Sequence, residues 1–279
     1  MSASATPDAA LTGIYLYCLA RIDCLATVQE LAAQKELSVD TDYCIAALPS
    51  AGVVAVISEV LLSEFSEANL QDLSWLGERA MRHEAVVARI MAASPVLPVK
   101  FGTLYHSRES LKQFMNQHHS AIDQALERLR GKAEWSVKGY LVDEVARKII
   151  AVEDPEIQAR RAAMSASPGV RYLQQKQLDN KIDAALESAL TRVSHDLGQA
   201  LAQRAEGAAA LRLHASAVTG RAERMVFNSS YLLGPETLDD FRSALAEQQE
   251  AYQAIGLTLE LRGPWPPYNF CPELGSTPP

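Results

Sequence analysis

The sequence has no GxGxxG turn, no glycine-lysine phosphate loop and no CxxC pair. The first two absences remove the common nucleotide-binding signatures. The third, with no histidine at a matching spacing, removes the common zinc site. Its four cysteines, Cys18, Cys24, Cys44 and Cys271, are scattered and mostly in apolar contexts, so they read as small buried hydrophobes in a reducing compartment. No apolar run is long enough to cross a bilayer; the best stretch, 51–62, is cut by Gly52, Ser58 and Glu59. Positive charge is in deficit, with 26 Lys and Arg against 34 Asp and Glu and a net charge of −8. With a pI near 5.3, that balance argues against a nucleic-acid binder. The opening residues MSASATPDAA carry neither a basic start nor an apolar core, so no secretory leader is read, and residues 1–10 are expected to be a disordered tail.

What is present is ample core material: 279 residues, 48% of them hydrophobic, enough for one large domain or two smaller ones. The aromatic, β-branched run 12–19 predicts a strand, and 22–35 a helix. Strands follow at 42–48 and 52–59 around the turn Pro49-Ser50-Ala51-Gly52. A helix is expected at 72–92 with Leu73, Leu76, Ala80, His83, Val87 and Ile90 inward. PVLPVKF, 95–101, reads as the last strand. Pro95 and Pro98 donate no backbone hydrogen bond and suit an edge, and Gly102 permits a sharp exit. The order β-α-β-β-α-β is that of a ferredoxin-like unit.

A connecting helix is expected over 104–131, its stripe Leu111, Met115, His118, Ile122, Ala125 and Leu129 ending at Gly131. EWSVKGYLV, 134–142, alternates, with Trp135, Val137 and Leu141 inward and Glu134, Ser136 and Lys138 outward. Helix follows Pro155, breaks at Pro168-Gly169 and resumes to about residue 205. Strands near 209–218 and 223–233, a helix from Pro235 to Gly256 and a strand at 257–262 complete a second β-α-β-β-α-β order. The expected fold is therefore α+β: two ferredoxin-like domains, 11–103 and 132–262, joined by a helix. An extended Pro/aromatic tail, 263–279, follows them. In GPWPPYNFCP the prolines forbid regular structure. Trp265, Pro266, Pro267, Tyr268 and Phe270 form a stiff strap that suits either packing on its own domain or docking to a partner.

Histidine chemistry finds little support. His83 and His118 lie on apolar stripes, where a core histidine is the commoner outcome, and His118-His119 point to different faces. His83-Glu84 is half of a helical zinc motif, but Val87 stands where the second histidine belongs. No catalytic residue, metal ligand or cofactor is assigned. The rival reading is a small-molecule-binding or enzymatic α+β protein with His83 as acid–base, which requires a pocket at that residue.

Taken together, PVLPVKFGT at 95–103, EWSVK at 134–138 and GPWPPYNF at 263–270 resemble the gas vesicle protein family GvpL/GvpF. YLYCL at 15–19 and the SWL…HE helix at 74–84 fit as well. Lys100 stands where Arg is frequent and Cys18 where Gly is frequent. The resemblance runs from about residue 11 to 271. It implies a non-enzymatic protein of gas vesicle formation, located at the vesicle in the cytoplasm: a minor shell component or assembly factor. It also implies contact with the main hydrophobic shell protein, and with other gas vesicle proteins. The strap and an exposed sheet edge are the expected contact surfaces. The corner Pro95, Pro98, Phe101, Gly102 and Thr103 is expected to be structural, closing the sheet and aiming the connecting helix.

Overall fold

The structure, a computed structural model, describes residues 11–274. The expected tail 1–10 and the last five residues lie outside the described residues. The chain forms two compact units, Met1–Ala133 with Trp265–Pro279, and Glu134–Pro264.

Unit 1 is built on β1 (Thr12–Arg21), α1 (Leu25–Ala32), β2 (Ile45–Ser50) and β3 (Val53–Leu61), followed by α2 (Glu67–Gln71), α3 (Leu73–Met91), β4 (Val96–Pro98), β5 (Leu104–Tyr105), α4 (Arg108–Gln117) and α5 (His119–Arg128). The strands form one antiparallel sheet of order β2-β3-β1-β4, with β5 also paired to β1. The β2-β3 hairpin turns on Ala51 and Gly52, both with positive φ (48° and 80°). That is the backbone a two-residue hairpin turn requires. Asp72 caps α3 by accepting from the Ser74 and Trp75 amides, and Ser107 caps α4 in a reciprocal box with Ser110.

Ile14 through Ala20 are all buried, so β1 has no solvent face. Tyr15, Tyr17 and Ala20 pack with Val28 and Leu31 of α1 and Val86, Val87 and Ile90 of α3. α4 and α5 pack against β1, β2, β4 and β5 and bury Leu111, Met115, Ile122 and Leu126. A sheet covered twice needs a continuous apolar central strand, which is what IYLYCLA provides.

The expected connecting helix 104–131 is therefore a correction. It is two helices broken at His118, whose φ of −102° and ψ of 13° leave the helical range, and both belong to unit 1. The break lets the His118 ring pack on Phe114 at 4.7 Å while His119 Nε2 bonds the Ala51 carbonyl at 2.8 Å. The strand expected at 95–101 is also shorter. The strand ends at Pro98, with one further bond from Val99 N to the Tyr17 carbonyl at 3.2 Å, and Gly102, at φ 82°, turns the chain back so that β5 rejoins β1. Leu73 is 83% exposed, so the buried stripe of α3 starts further along, at His83.

Unit 2 contains β6 (Ala133–Leu141), α6 (Asp143–Glu153), α7 (Pro155–Ala162), α8 (Pro168–Ala202), β7 (Gly207–Ala210), α9 (Ser216–Thr219), β8 (Arg224–Leu233), α10 (Pro235–Tyr252) and β9 (Leu257–Trp265). The sheet order is β7-β8-β6-β9. Val137, Phe227, Tyr231 and Leu233 face Leu197 and Leu201 of α8 and Phe241 and Leu245 of α10. Three of its features differ from expectation. Helix α6 precedes Pro155, where the sequence reading placed none. The strand expected at 209–218 ends at Ala210: Leu211 N still reaches the Asn228 carbonyl, but the next contact is from the Asn228 side chain to the Arg212 carbonyl at 2.8 Å, which replaces the ladder. Glu134, expected outward, is buried and accepts from Ser230 Oγ at 2.6 Å. Among the described residues no helix is long and apolar enough to cross a membrane.

Two glycines give opposite expectations for one substitution. A Cβ on Gly139 of β6 would stand 2.8 Å from Phe227 Cβ and 3.3 Å from Leu259. The Phe227 Cβ is fixed to its backbone and cannot yield, so Gly139→Ala should cost about 1–3 kcal/mol. A Cβ on Gly77 of α3 would meet nothing within 4 Å, and Gly77→Ala should stabilise by about 0.5–1 kcal/mol. Urea denaturation of both variants checks the two signs.

Candidate functional site

The residues singled out in the sequence converge on one place in unit 1. Alternation along β1 points Tyr15 and Tyr17 at α3. The Tyr15 hydroxyl accepts from the Gly102 amide at 3.3 Å and contacts His83 Nδ1 at 2.8 Å. With the amide already donating to the hydroxyl, the tyrosine proton goes to Nδ1, which leaves the ring proton on Nε2. The Tyr17 hydroxyl accepts from the Val39 amide at 3.0 Å and lies within reach of Ser38 and Ser58. Burial pushes both phenols up.

Aromatic rings enclose His83. Tyr17 stacks on it at 5.7 Å, and Tyr15 and Phe101 meet it edge-on at 5.7 and 6.0 Å. Phe101 also packs against Phe65 and Trp75. The Arg79 guanidinium lies 4.2 Å over the Trp75 ring. His83 Nε2 is buried and makes no hydrogen bond of normal geometry. Burial pulls the His83 pKa down to about 4, the Val99 backbone opposing weakly. A neutral imidazole with one nitrogen engaged and the other shielded is a packing element. The largest described cleft, about 650 Å³ between α8 and β7-β8 in unit 2, does not include it. Among the described residues no group of three or more His, Cys, Asp or Glu side chains has a metal-holding arrangement.

The rest of the corner is equally tied down. Thr103 Oγ1 donates to the Lys100 carbonyl at 2.6 Å, and the Thr103 carbonyl accepts from Leu16 N at 3.0 Å. Pro98 ends β4, and Pro95 stands just ahead of that strand.

The strap lies beside this cluster. Its turn Tyr268–Phe270 is held by Tyr268 N to the Pro266 carbonyl and Phe270 N to the Pro267 carbonyl. The Tyr268 hydroxyl donates to the Glu84 carboxylate at 2.8 Å, and its ring sits 6.4 Å from His83. Burial first, then the Glu84 charge, pushes this phenol up. The Cys271 thiol donates to the Pro98 carbonyl at 3.6 Å and to the Pro267 carbonyl at 3.3 Å. Arg128 of α5 donates to the Phe270 carbonyl. The strap thus runs from α3, over the β4 edge, to α5. Pro266, Pro267 and Phe270 are buried and Tyr268 is half-buried, while Trp265 stays exposed. Of the two charged anchors, Arg128 was not singled out in the sequence, and Glu84 was noted only as half of an incomplete zinc motif. Glu84 follows the buried His83, and Arg128 sits among ordinary helix charges.

The depressed His83 pKa has a pH consequence. The unfolded chain takes up the proton near pH 6.5 and the folded chain only near 4, so this contribution is whole above pH 6.5 and is lost as pH falls toward 4. Wild type should lose about 2–3 kcal/mol more between pH 7 and 4.5 than His83→Gln, which lacks the imidazole. Urea midpoints of both proteins at the two pH values check this.

The family described as "Gas vesicle synthesis protein GvpL/GvpF" matches residues 13–272. Gas vesicle protein L of Streptomyces sp. (strain CB03234) is 29% identical, over 78% of this chain and 79% of its own. Gas vesicle protein L1 of Halobacterium salinarum is 23% identical over 94% of this chain and 92% of its own. The crystal structure of the gas vesicle protein GvpF from Anabaena sp. PCC7120 superposes with a TM-score of 0.67 at 14% identity, covering 94% of this chain and 98% of that one. That structure has the same fold. With the family match spanning nearly all of the sequence, this chain belongs to the GvpL/GvpF family of gas vesicle proteins.

Proposed function

We propose that this protein binds the main, very hydrophobic gas vesicle shell protein in the cytoplasm and assists its nucleation and assembly into the vesicle, as a minor shell component or assembly factor. The family match over residues 13–272 carries the reading. A shell subunit with an apolar gas-facing surface aggregates unless its exposed surface is covered before assembly. Covering it takes apolar side chains on a well-folded scaffold and no bond-making chemistry. This chain offers such side chains. Leu70, Leu73 and Met81 are exposed on α2 and α3, Val170, Tyr172 and Leu173 on the first turns of α8, and Trp265 at the head of the strap. Both sheets, in the order second-third-first-fourth, are read as ferredoxin-like, which accounts for the rigid scaffold.

Of the five strap residues, Trp265 is the one whose side chain is offered to solvent, 45% exposed, so the strap's shell contact is assigned to it. The rival reading, a ligand-binding or enzymatic protein working through His83, is less well supported, because the Tyr15, Tyr17 and Phe101 rings pack around that imidazole.

Tagged protein co-expressed with the shell protein of its own gene cluster should co-purify with it in soluble form. Trp265→Ala should lower the recovered shell protein several-fold with the circular dichroism spectrum unchanged. A point variant is preferable to truncation before Gly263, because truncation also uncovers the β4 edge. Absence of co-purification from two soluble, folded proteins would sink the reading.

A further inference from the structure

Unit 1 holds the strap as a peptide-recognition domain holds a ligand. The chain leaves this unit at Ala133 and returns at Trp265, with all of unit 2 between. The docking contacts are few and local. Glu84 takes the tyrosine hydroxyl, Arg128 supplies a donor to the Phe270 carbonyl, and the Pro98 carbonyl takes the Cys271 thiol. Pro266, Pro267 and Phe270 provide the buried apolar surface. None of these contacts requires strap and groove to belong to one chain. A proline-stiffened segment also loses little conformational freedom on docking.

We infer that the groove over β4, between α3 and α5, also takes the Pro-Pro-Tyr-Asn-Phe strap of a second copy of this chain, so that two copies exchange straps. The second copy is the occupant the groove itself specifies. It carries the same proline pair, hydroxyl donor, buried Phe and thiol, and it seats them on the same partners. Closed and exchanged forms make identical docking contacts, so the balance between them follows concentration and the reach of the connecting chain. The exchange covers the β4 edge in both forms, and no copy ever shows a bare edge. Gly263, at φ 147°, stands two residues before the strap. A Cβ there would meet the Glu134 carbonyl at 2.9 Å, so glycine is required at this position of β9. The inference does not rest on contact with the shell protein and survives if that contact fails.

Two full-length variants test it. Tyr268→Phe with Phe270→Ala breaks the strap and keeps the groove. Glu84→Gln with Arg128→Ala breaks the groove and keeps the strap. Each alone should be monomeric by light scattering. Mixed at roughly 100 μM, well below the millimolar effective concentration of a tethered segment, they should form a heterodimer of twice the 30.4 kDa chain mass. A mixture that stays monomeric, with both variants folded by circular dichroism, overturns the inference. Should either variant fail to fold, a fluorescent peptide of residues 264–274 titrated into the milder Tyr268→Phe chain decides instead. Saturable binding supports exchange, with a Tyr268→Phe peptide roughly tenfold weaker; no binding overturns it.

Discussion

Two-sided burial of β1 is the constraint on which unit 1 depends. Once Ile14 through Ala20 have no solvent face, helices must lie on both sides of the sheet. α1 and α3 cover one, α4 and α5 the other. The sheet then cannot relieve its polar groups to solvent through its centre, only at its edges. At β2 the edge is backed by α4, where Ser50 Oγ donates to Asn116 at 2.8 Å. At β4 the strand is three residues long and ends in Pro98, whose missing N–H and thiol-bonded carbonyl leave little for another strand to pair with. The strap completes that edge.

Burying tyrosines next to β1 sets a second requirement, that each phenol hydroxyl be matched. Tyr17 meets it with two serines and an amide, and Tyr15 with Gly102 and His83. This gives the FGT corner a physical meaning. Gly102 has to take a positive φ so that the chain can turn and its amide can reach a phenol on the first strand. Phe101 then fills the space beside His83. A histidine serves there because its neutral ring both accepts from a tyrosine and stacks on another, which no aliphatic residue does.

Much of this was legible in the sequence. The succession of strands and helices in unit 1, the hairpin turn near Ala51-Gly52 and the long α8 follow from periodicity and turn chemistry. The prolines of the tail read as forbidding regular structure from residue 263, yet β9 continues through Gly263 and Pro264 to Trp265, and Tyr268–Phe270 form a short 3₁₀ turn. What stayed hidden has particular causes. The unbroken apolar run at 14–20 already encoded burial on both faces, yet a helix with a clean stripe, such as 107–130, reads the same whether it bridges two domains or covers a second sheet face. The kink at His118 depends on a carbonyl 68 residues away, and strap docking on partners 142 and 184 residues distant. Glu134 looked outward by alternation because the partner that justifies its burial, Ser230, lies on another strand. α6 was missed although Asp143 and Glu144 stand in its first turn and its apolar residues are helically spaced.

The two sheets treat their edges differently, and the difference fits a protein that handles apolar partners. The end strand β7 of unit 2 is four residues of Gly and Ala, too short to template a long pairing, and β4 is covered by the strap. Backbone pairing is indiscriminate, because every strand offers the same groups. Side-chain contact selects by shape. At β7 and β4, where the edge is short or capped, and with Leu73, Met81, Tyr172 and Trp265 left outside, side-chain contact is favoured over backbone pairing; β9, the other end strand of unit 2, is nine residues long. Under the assembly role proposed above, that preference at β7 and β4 would allow the protein to bind a shell subunit without being drawn into a growing sheet.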